Sequence, residues 1–319
     1  MMKLFATFCV VMVHSDYLFR VYGTAVPSFL RPAAALANTG NAVFMMVSGY
    51  LLYTRNEPYG KNLKKKIRSI LVPLVLWNVL WIIAEMIGHR FLPYRFESVA
   101  DWTALRWLEA LFGVPFLRDP YYMPFWFLID LFALNVLAPV IRWLCRRVPA
   151  VYAAGLAVLW FLPLSYRIRI PFVFFSAGCF FAEYAVLRER IRSIPAVWCI
   201  VPAVAAGMLV WFRYDDLTVK LTILMFLPVV YRFCRYFSTT GAGQRLLEIC
   251  LPYLIVIYAV HAKVLIVFQQ IYGRYLPSFA AMCAGYWLLP AAVILFCILC
   301  GILMKRYTPR LFSLLNGGR

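Results

Sequence analysis

The sequence contains little charge: only 14% of its 319 residues are Asp, Glu, Lys or Arg. Soluble domains average about 25% charged and about 45–50% apolar residues, whereas 64% of this chain is hydrophobic and its mean hydropathy is +0.79. So few polar side chains cannot cover the surface of a water-soluble globule, and the composition also excludes intrinsic disorder. The class that remains is an all-α integral membrane protein, whose length allows at most roughly a dozen crossings of about 20 residues each.

Acidic residues are scarcer still, with 13 Asp and Glu against 32 Lys and Arg, for a net charge of +19. On a soluble protein this excess would suggest nucleic-acid binding. In a polytopic membrane protein it has another explanation, because cytoplasmic loops carry an excess of Lys and Arg. The positions of the charges distinguish the two.

Apolar runs predict about ten transmembrane helices in a single domain, 1–319. They lie at about 4–19, 37–53, 69–88, 124–144, 150–164, 170–187, 195–212, 217–231, 249–269 and 280–304. Some are short and depend on flanking aromatic residues or a thin local bilayer. The one long connection, about 89–123, is predicted to be an extracytoplasmic loop with a short amphipathic helix around Trp102–Leu111.

Ten spans place both termini on one side of the membrane. If that side is the cytoplasm, 20 of the 32 basic residues lie in inner segments and 11 in outer loops that are nearer neutral. This asymmetry follows the positive-inside rule. An odd number of spans would move about half of the loops to the other side of the membrane and remove the asymmetry. The sequence therefore predicts cytoplasmic termini and no nucleic-acid partner. The first span is not interpreted as a signal peptide, because His14, Asp16 and aromatic residues follow its apolar run.

The nine cysteines lie almost entirely in or beside the predicted spans. Cys297 and Cys300 form a CxxC, but within an apolar helix and without a second pair or a nearby histidine. We interpret them as buried thiols that pack on one helix face. The three histidines, His14, His89 and His261, are widely separated, and no metal site is predicted.

His14 is the most informative polar residue in a predicted span. It follows Lys3 by eleven residues, so the two side chains share one helix face with about 16 Å of axial rise between them. This pattern is compatible with a polar conduit in which the imidazole is a general base. It is equally compatible with a core histidine that is hydrogen-bonded to a neighbouring helix.

Asn41, Met45 and Ser48 lie on one face of the second span, and Gly49 beside them permits a close approach of another helix. Their pattern fits small-residue packing with a hydrogen bond, or a polar functional face.

Asp130, His261 and Lys263 are further titratable residues within predicted spans. Asp130 lies about two turns into its span, where a charge costs about 2.5–3.5 kcal/mol on insertion scales, so it needs a function or a partner. His261 and Lys263 are two residues apart. On a helix they point to opposite faces and are not expected to act as one unit.

The densest basic segment comprises Lys61, Lys64, Lys65, Lys66 and Arg68. One interpretation is positive-inside topology together with contact to anionic membrane lipids. The other is a binding site for a polyanionic cytoplasmic ligand such as a nucleotide-bearing cofactor.

Six segments between residue 3 and about residue 269 carry a combined signature. In order they are LFATFCVVMVHSDY, NAVFMMVSGYLLY, ILVPLVLW after the basic run, MPFWFLIDLFALNVLAPVI, FVFFSAGCFFAEY and VIYAVHAKVLIVF. Together with the span count, they resemble the membrane acyltransferase-3 family. The nearest likeness within it is to the branch that O-acetylates surface polysaccharides.

The resemblance implies a bacterial plasma (inner) membrane enzyme with acyl-CoA, most commonly acetyl-CoA, as its cytoplasmic donor. The implied acceptor is a hydroxyl of a surface glycan or of its lipid-linked precursor. By position, His14 corresponds to the family's catalytic histidine. Lys3 stands where the family usually has arginine, which keeps the charge but loses the planar bidentate fork. Ile129 also replaces an arginine found in many relatives.

The resemblance and the polar positions together define the expected site. The expected catalytic residues are His14, Lys3, Ser48, Asn41 and Asp130, of which the last three would orient the imidazole or the thioester oxygen. The expected residues for the phosphates of the donor are Lys3, Lys64, Lys65, Lys66 and Arg68.

Two alternatives remain open at this point. A ten-helix transporter or flippase for a glycan or lipid-linked sugar would also use buried polar residues, although the sequence contains no recognisable inverted repeat of the kind that transporters often have. A non-catalytic assembly subunit is the other alternative. Covalent transfer from acyl-CoA distinguishes both from an enzyme.

Overall fold

The structure, a computed structural model, describes residues 1–21, 23–55, 57–89 and 99–318. Within these ranges the chain is helical and contains no β-strand, in agreement with the predicted all-α class. The helices from the first half are α1 Met2–Val13, α2 Tyr17–Val21, α3 Arg31–Ala37, α4 Thr39–Thr54, α5 Tyr59–Lys66, α6 Val72–His89, α7 Ala104–Phe112 and α8 Trp126–Arg147. The second half contributes α9 Pro149–Phe161, α10 Tyr166–Glu183, α11 Ala185–Ser193, α12 Val197–Phe212, α13 Asp216–Phe237, α14 Gly241–Cys250, α15 Leu254–Tyr275, α16 Phe279–Tyr307 and α17 Pro309–Leu315.

Six helical units in the described residues are long and apolar enough to cross a membrane. They are Met2–Arg20, Tyr59–His89, Met123–Arg147, Asp216–Phe237, Gly241–Tyr275 and Phe279–Tyr307. A seventh is reached if α10 and α11, which meet at a bend of 98°, form one span. The other predicted spans correspond to shorter helices, α4, α9 and α12. A multi-pass helical protein is therefore confirmed, while the count of ten and the side of the termini stay predictions.

The long connection contains the helix that its sequence predicts. Residues 90–98 lie outside the described residues, but α7 occupies the predicted amphipathic position. Thr103 begins this helix by accepting a hydrogen bond from the backbone N–H of Arg106 at 3.2 Å, which satisfies one of the unpaired donors of the first turn.

The closest helix packing joins α4 and α10. A Cβ atom added to Gly49 would lie 2.1 Å from the carbonyl oxygen of Phe175, and one added to Gly178 would lie 2.0 Å from that of Met46. The two glycines therefore allow the backbones to approach more closely than any side chain would permit. The close approach expected at Gly49 is confirmed.

Two clusters of buried side chains surround these helices. One combines Val11 and Met12 of α1 with Leu265 of α15 and Val293 of α16. The other combines α4 with α8 and α10, and Phe175 is among its fully buried members. The first cluster thus packs α1 against α15 and α16, and the second packs α4 against α8 and α10.

Pro139 interrupts the hydrogen-bond ladder of α8. Proline has no N–H to donate and tilts the preceding carbonyls outward. Beside it, the hydroxyl of Tyr59 in α5 donates to the carbonyl of Val136 at 2.9 Å, and the hydroxyl of Tyr53 in α4 donates to that of Ala138 at 2.5 Å. The end of α4 and the start of α5 are thus attached to the proline region of α8.

Candidate active site

A polar cavity of about 320 Å³ lies where the end of α1 meets the beginnings of α4, α8 and α10. Its lining includes His14, Asn41, Trp126, Tyr166 and Arg167. These side chains bring together an imidazole, an amide, a phenol and a guanidinium among apolar residues. Such a convergence of a few polar groups in a concave site is typical of a ligand-binding or active site.

His14 is held at the cavity by a change in the helix that carries it. Helix α1 ends at Val13, and His14–Asp16 continues as a tighter 3₁₀ turn. The carbonyl oxygen of His14 accepts a hydrogen bond from Nε2 of Gln269 in α15 at 3.1 Å. The backbone of His14 is therefore anchored to α15 while its ring lines the cavity.

Asn41 contributes a second polar group from α4. Its Nδ2 donates to the hydroxyl oxygen of Tyr166 in α10 at 3.1 Å, and both residues line the cavity. Because the glycine crossing holds α4 and α10 together, the amide and the phenol share a fixed geometry. Of the three expected orienting residues, Asn41 is the one that lines the cavity with His14.

Arg167 links the cavity to two carboxylates. Its Nη1 lies 2.7 Å from Asp119 at the edge of the cavity, and its Nη2 lies 3.4 Å from Oδ1 of Asp130. Asp130 is fully buried and its Oδ1 also accepts the backbone N–H of Phe116 at 2.6 Å. Asp130 is therefore not among the residues that line the cavity, and its contacts are with Arg167 and a loop residue.

The structure separates the other expected residues from the cavity. Lys3 lies on α1, about 16 Å along the helix from His14, and Ser48 lies about two turns beyond Asn41 on α4. Both side chains are partly buried, and Ser48 is not among the residues that line the cavity.

The basic segment lies at the far end of α4. Between Asn41 and Thr54 the helix rises about 20 Å, and α5 begins a few residues later. Lys64, Lys65 and Arg68 are exposed. Lys65 lies 2.6 Å from Glu57, and this hydrogen bond holds the pKa of the Glu57 carboxyl below its ordinary value.

The residues after position 250 add two features that the expected site did not include. His261 is buried with its ring centroid 5.5 Å from that of His14. Tyr258, one turn earlier on α15, lines the cavity and donates its hydroxyl to the carbonyl of Pro124. Lys263 points elsewhere, is 44% exposed and pairs with Glu85 at 2.5 Å. His261 and Lys263 therefore have different neighbours, as their spacing on a helix predicts.

All nine cysteines are free thiols, and seven of them are buried. Within the residues that the structure describes, no three side chains of His, Cys, Asp or Glu come together as a metal site would require. Of the CxxC pair in α16, Cys297 is buried and Cys300 is partly buried.

The fold and the cavity define a multi-pass helical membrane protein with a histidine-containing polar site. Comparison with known proteins makes this class more specific. Residues 1–306 match the acyltransferase domain family Acyl_transf_3, and the chain belongs to this family.

A curated relative is the succinoglycan biosynthesis protein ExoH of Rhizobium meliloti (strain 1021). The two sequences are 26% identical over 315 residues, a match that covers 89% of this chain and 80% of the relative. No solved structure matches the chain.

Proposed function

We propose that this protein transfers an acyl group, acetyl in the first instance, from cytoplasmic acyl-CoA to a hydroxyl of a surface polysaccharide or its lipid-linked precursor. The observation that carries the proposal is His14 in a polar cavity of an acyltransferase-family fold. The acceptor class rests on the relative's role in the biosynthesis of a glycan. Membrane lipids surround the chain in a bacterial inner membrane.

The proposed topology has ten crossings, made by α1, α4, α6, α8, α9, α10, α12, α13, α15 and α16, with both termini in the cytoplasm. It is supported by the direction of the helices around the cavity. Helices α4 and α8 begin at the cavity and end near basic residues, namely Arg55 after α4 and Arg146 and Arg147 in the last turn of α8. With the basic ends inside, the cavity opens toward the extracytoplasmic side.

The proposed mechanism uses His14 as a general base. The acceptor hydroxyl loses its proton to the imidazole as its oxygen attacks the thioester carbonyl carbon. The new C–O bond forms, the C–S bond breaks, and the imidazolium returns the proton to the leaving CoA thiolate. Asn41 is suited to orient the acceptor or the thioester oxygen, because its amide lines the same cavity. Asp130 would act through Arg167, and Ser48 would line the path of the acyl arm.

The donor's phosphates would bind at the opposite end of these helices. Lys3, Lys64, Lys65, Lys66 and Arg68 are the proposed partners, since ammonium and guanidinium groups are the usual ligands of phosphate. The thin acyl arm then has to cover the distance of about 20 Å between the basic end of α4 and the cavity. A long, flexible pantetheine thioester is suited to this task.

The test is transfer of label from radiolabelled acetyl-CoA to envelope glycan in inverted membrane vesicles. The vesicles contain the native chain, His14→Ala or His89→Ala. His89 is a matched control because it carries the same side chain at the end of α6 and does not line the cavity. Loss of a general base is expected to lower the rate about 10²–10⁴-fold, whereas His89→Ala should keep the native rate.

Full transfer by His14→Ala would overturn the role of His14. If the native chain labels no glycan, although the acceptor is supplied and the protein is folded, the acyltransferase proposal fails. Glycan export would then be the next activity to measure.

A further inference from the structure

The ring of His14 lines the cavity, and the buried ring of His261 lies beside it. Their centroids are 5.5 Å apart and their planes are inclined by 42°. His14 comes from the 3₁₀ turn after α1, whereas His261 comes from the middle of α15 and has 0% of its surface exposed. Two imidazoles at this separation can be joined by a direct hydrogen bond after a small side-chain rotation, or by one water molecule.

The contacts of His261 determine which of its nitrogens carries the proton. Its Nδ1 lies 2.8 Å from the carbonyl oxygen of Tyr258 and 3.1 Å from that of Ile257. Carbonyl oxygens only accept hydrogen bonds, so Nδ1 must be the protonated nitrogen. In the neutral ring Nε2 is then a hydrogen-bond acceptor, and it points away from the backbone of its own helix.

This acceptor has no hydrogen-bond partner among the described residues, although it is buried. Buried polar atoms in native proteins are almost always paired. The hydroxyl of the neighbouring Tyr258 already donates to Pro124. The imidazole of His14 is the adjacent ring that carries an N–H donor.

Helix α15 also fixes the position of the His14 backbone. Gln269 lies eight residues after His261, so about two helical turns separate them on the same side of α15. Its amide donates to the His14 carbonyl at 3.1 Å. The one helix therefore anchors the backbone of His14 and places a second imidazole beside its ring.

We propose that His261 is a positioning residue for His14: its Nε2 accepts a hydrogen bond from one ring nitrogen of His14, directly or through one water. The other nitrogen of His14 then keeps its lone pair and faces the cavity. In the reaction, the hydroxyl proton moves onto that nitrogen while the nitrogen that faces His261 keeps its own proton. The catalytic consequence rests on the proposed function, whereas the hydrogen bond does not.

Two substitutions distinguish the roles of the two ring nitrogens of His261. His261→Asn keeps a donor near the position of Nδ1 but lacks the outward acceptor. His261→Gln places an amide oxygen near the position of Nε2. We expect His261→Asn to lower kcat about 10- to 100-fold, less than complete loss of a general base, with little change in KM for the donor. His261→Gln should restore most of kcat.

A spectroscopic measurement tests the pairing without activity. The chain has three histidines, so ¹⁵N NMR of protein labelled only at histidine can be assigned with His14→Ala and His89→Ala. In the native protein we expect one dominant neutral tautomer for His14 and an unprotonated, hydrogen-bonded Nε2 for His261. His261→Asn should give His14 a mixture of tautomers, and His261→Gln should keep the native one.

A tautomer mixture for His14 in the native protein, or a protonated Nε2 on His261, would overturn the proposal. So would an unchanged tautomer and an unchanged kcat in His261→Asn. The spectrum of the native protein tests the hydrogen bond between His14 and His261 even if a variant fails to fold. A fixed His14 tautomer without acyl transfer to any acceptor would leave the pairing intact and refute the proposed function instead.

Discussion

Substitution of Gly178 by alanine is expected to force α4 and α10 apart. The added Cβ would lie 2.0 Å from the carbonyl oxygen of Met46, whereas C···O contacts are normally at least about 3.3 Å. The helices must therefore separate by about 1 Å locally. Because the obstacle is backbone and cannot rotate away, the cost should lie toward the upper end of the range of about 1–3 kcal/mol for overpacking.

Thermal unfolding of the purified protein in detergent measures this cost. One kcal/mol corresponds to about 2–4 °C in Tm for a chain of 150–250 residues and to somewhat less for a longer one, so we expect a decrease of about 3–8 °C. Gly49→Ala should behave similarly, because its Cβ would lie 2.1 Å from the carbonyl oxygen of Phe175. The double variant should cost less than the sum, since the first Cβ already separates the helices for the second.

Gly155→Ala is the matched control, because no atom lies within 4 Å of its added Cβ. Alanine has a higher helix propensity than glycine, so this variant should unfold at the native temperature or slightly above it. A Tm of Gly178→Ala within about 1 °C of the control would refute the reasoning from this helix crossing.

Three further predictions follow from individual contacts. Asp130→Asn removes the charge that the buried carboxylate presents to Arg167 and should lower the free energy of unfolding by about 1–3 kcal/mol; an unchanged urea midpoint would contradict this. The backbone N–H of Thr218 holds the pKa of Asp215 below its ordinary 3.8. Asp215 therefore contributes its full stabilisation when the pH is above its ordinary pKa. This stabilisation is lost as the pH falls through the lower pKa of the folded state. The Tm gap between native protein and Asp215→Ala should then be constant from about pH 7 to about pH 5 and close in stronger acid. Replacing Lys64 and Lys65 by Gln should raise KM for acyl-CoA at low salt and less at high salt; a salt-independent KM would favour a lipid-binding role for these lysines.

The sequence was sufficient to predict the class of the protein, because a mean hydropathy of +0.79 leaves few alternatives to a membrane bundle. It also predicted α7 and the close approach at Gly49, since amphipathic periodicity and small residues are local signals. The number of spans was harder to predict from the sequence. Helices such as α4 and α12 have 16 residues each, and length alone cannot assign them to the membrane.

Which residues meet at the cavity depends on contacts between distant segments, and such contacts cannot be predicted from local sequence patterns. The sequence selected His14 and Asn41 as candidate residues, and both side chains line the cavity. Their partners, Tyr166 and His261, lie more than a hundred residues away in the chain. Only the packing of α10 and α15 against α1 and α4 brings these side chains together. Asp130 illustrates the converse, because its position within a span suggested a role in orienting the imidazole or the thioester oxygen, while its contacts are to Arg167 and Phe116.

Helix α8 shows how one helix can determine the position of another. The hydroxyl of Tyr59 in α5 reaches the carbonyl of Val136 across 77 positions of sequence, and the hydroxyl of Tyr53 in α4 reaches that of Ala138. The basic helix α5 is therefore positioned by a contact of its tyrosine and not only by its lysines. A homologue could exchange the lysines of that helix and keep this contact, provided that it kept the tyrosine.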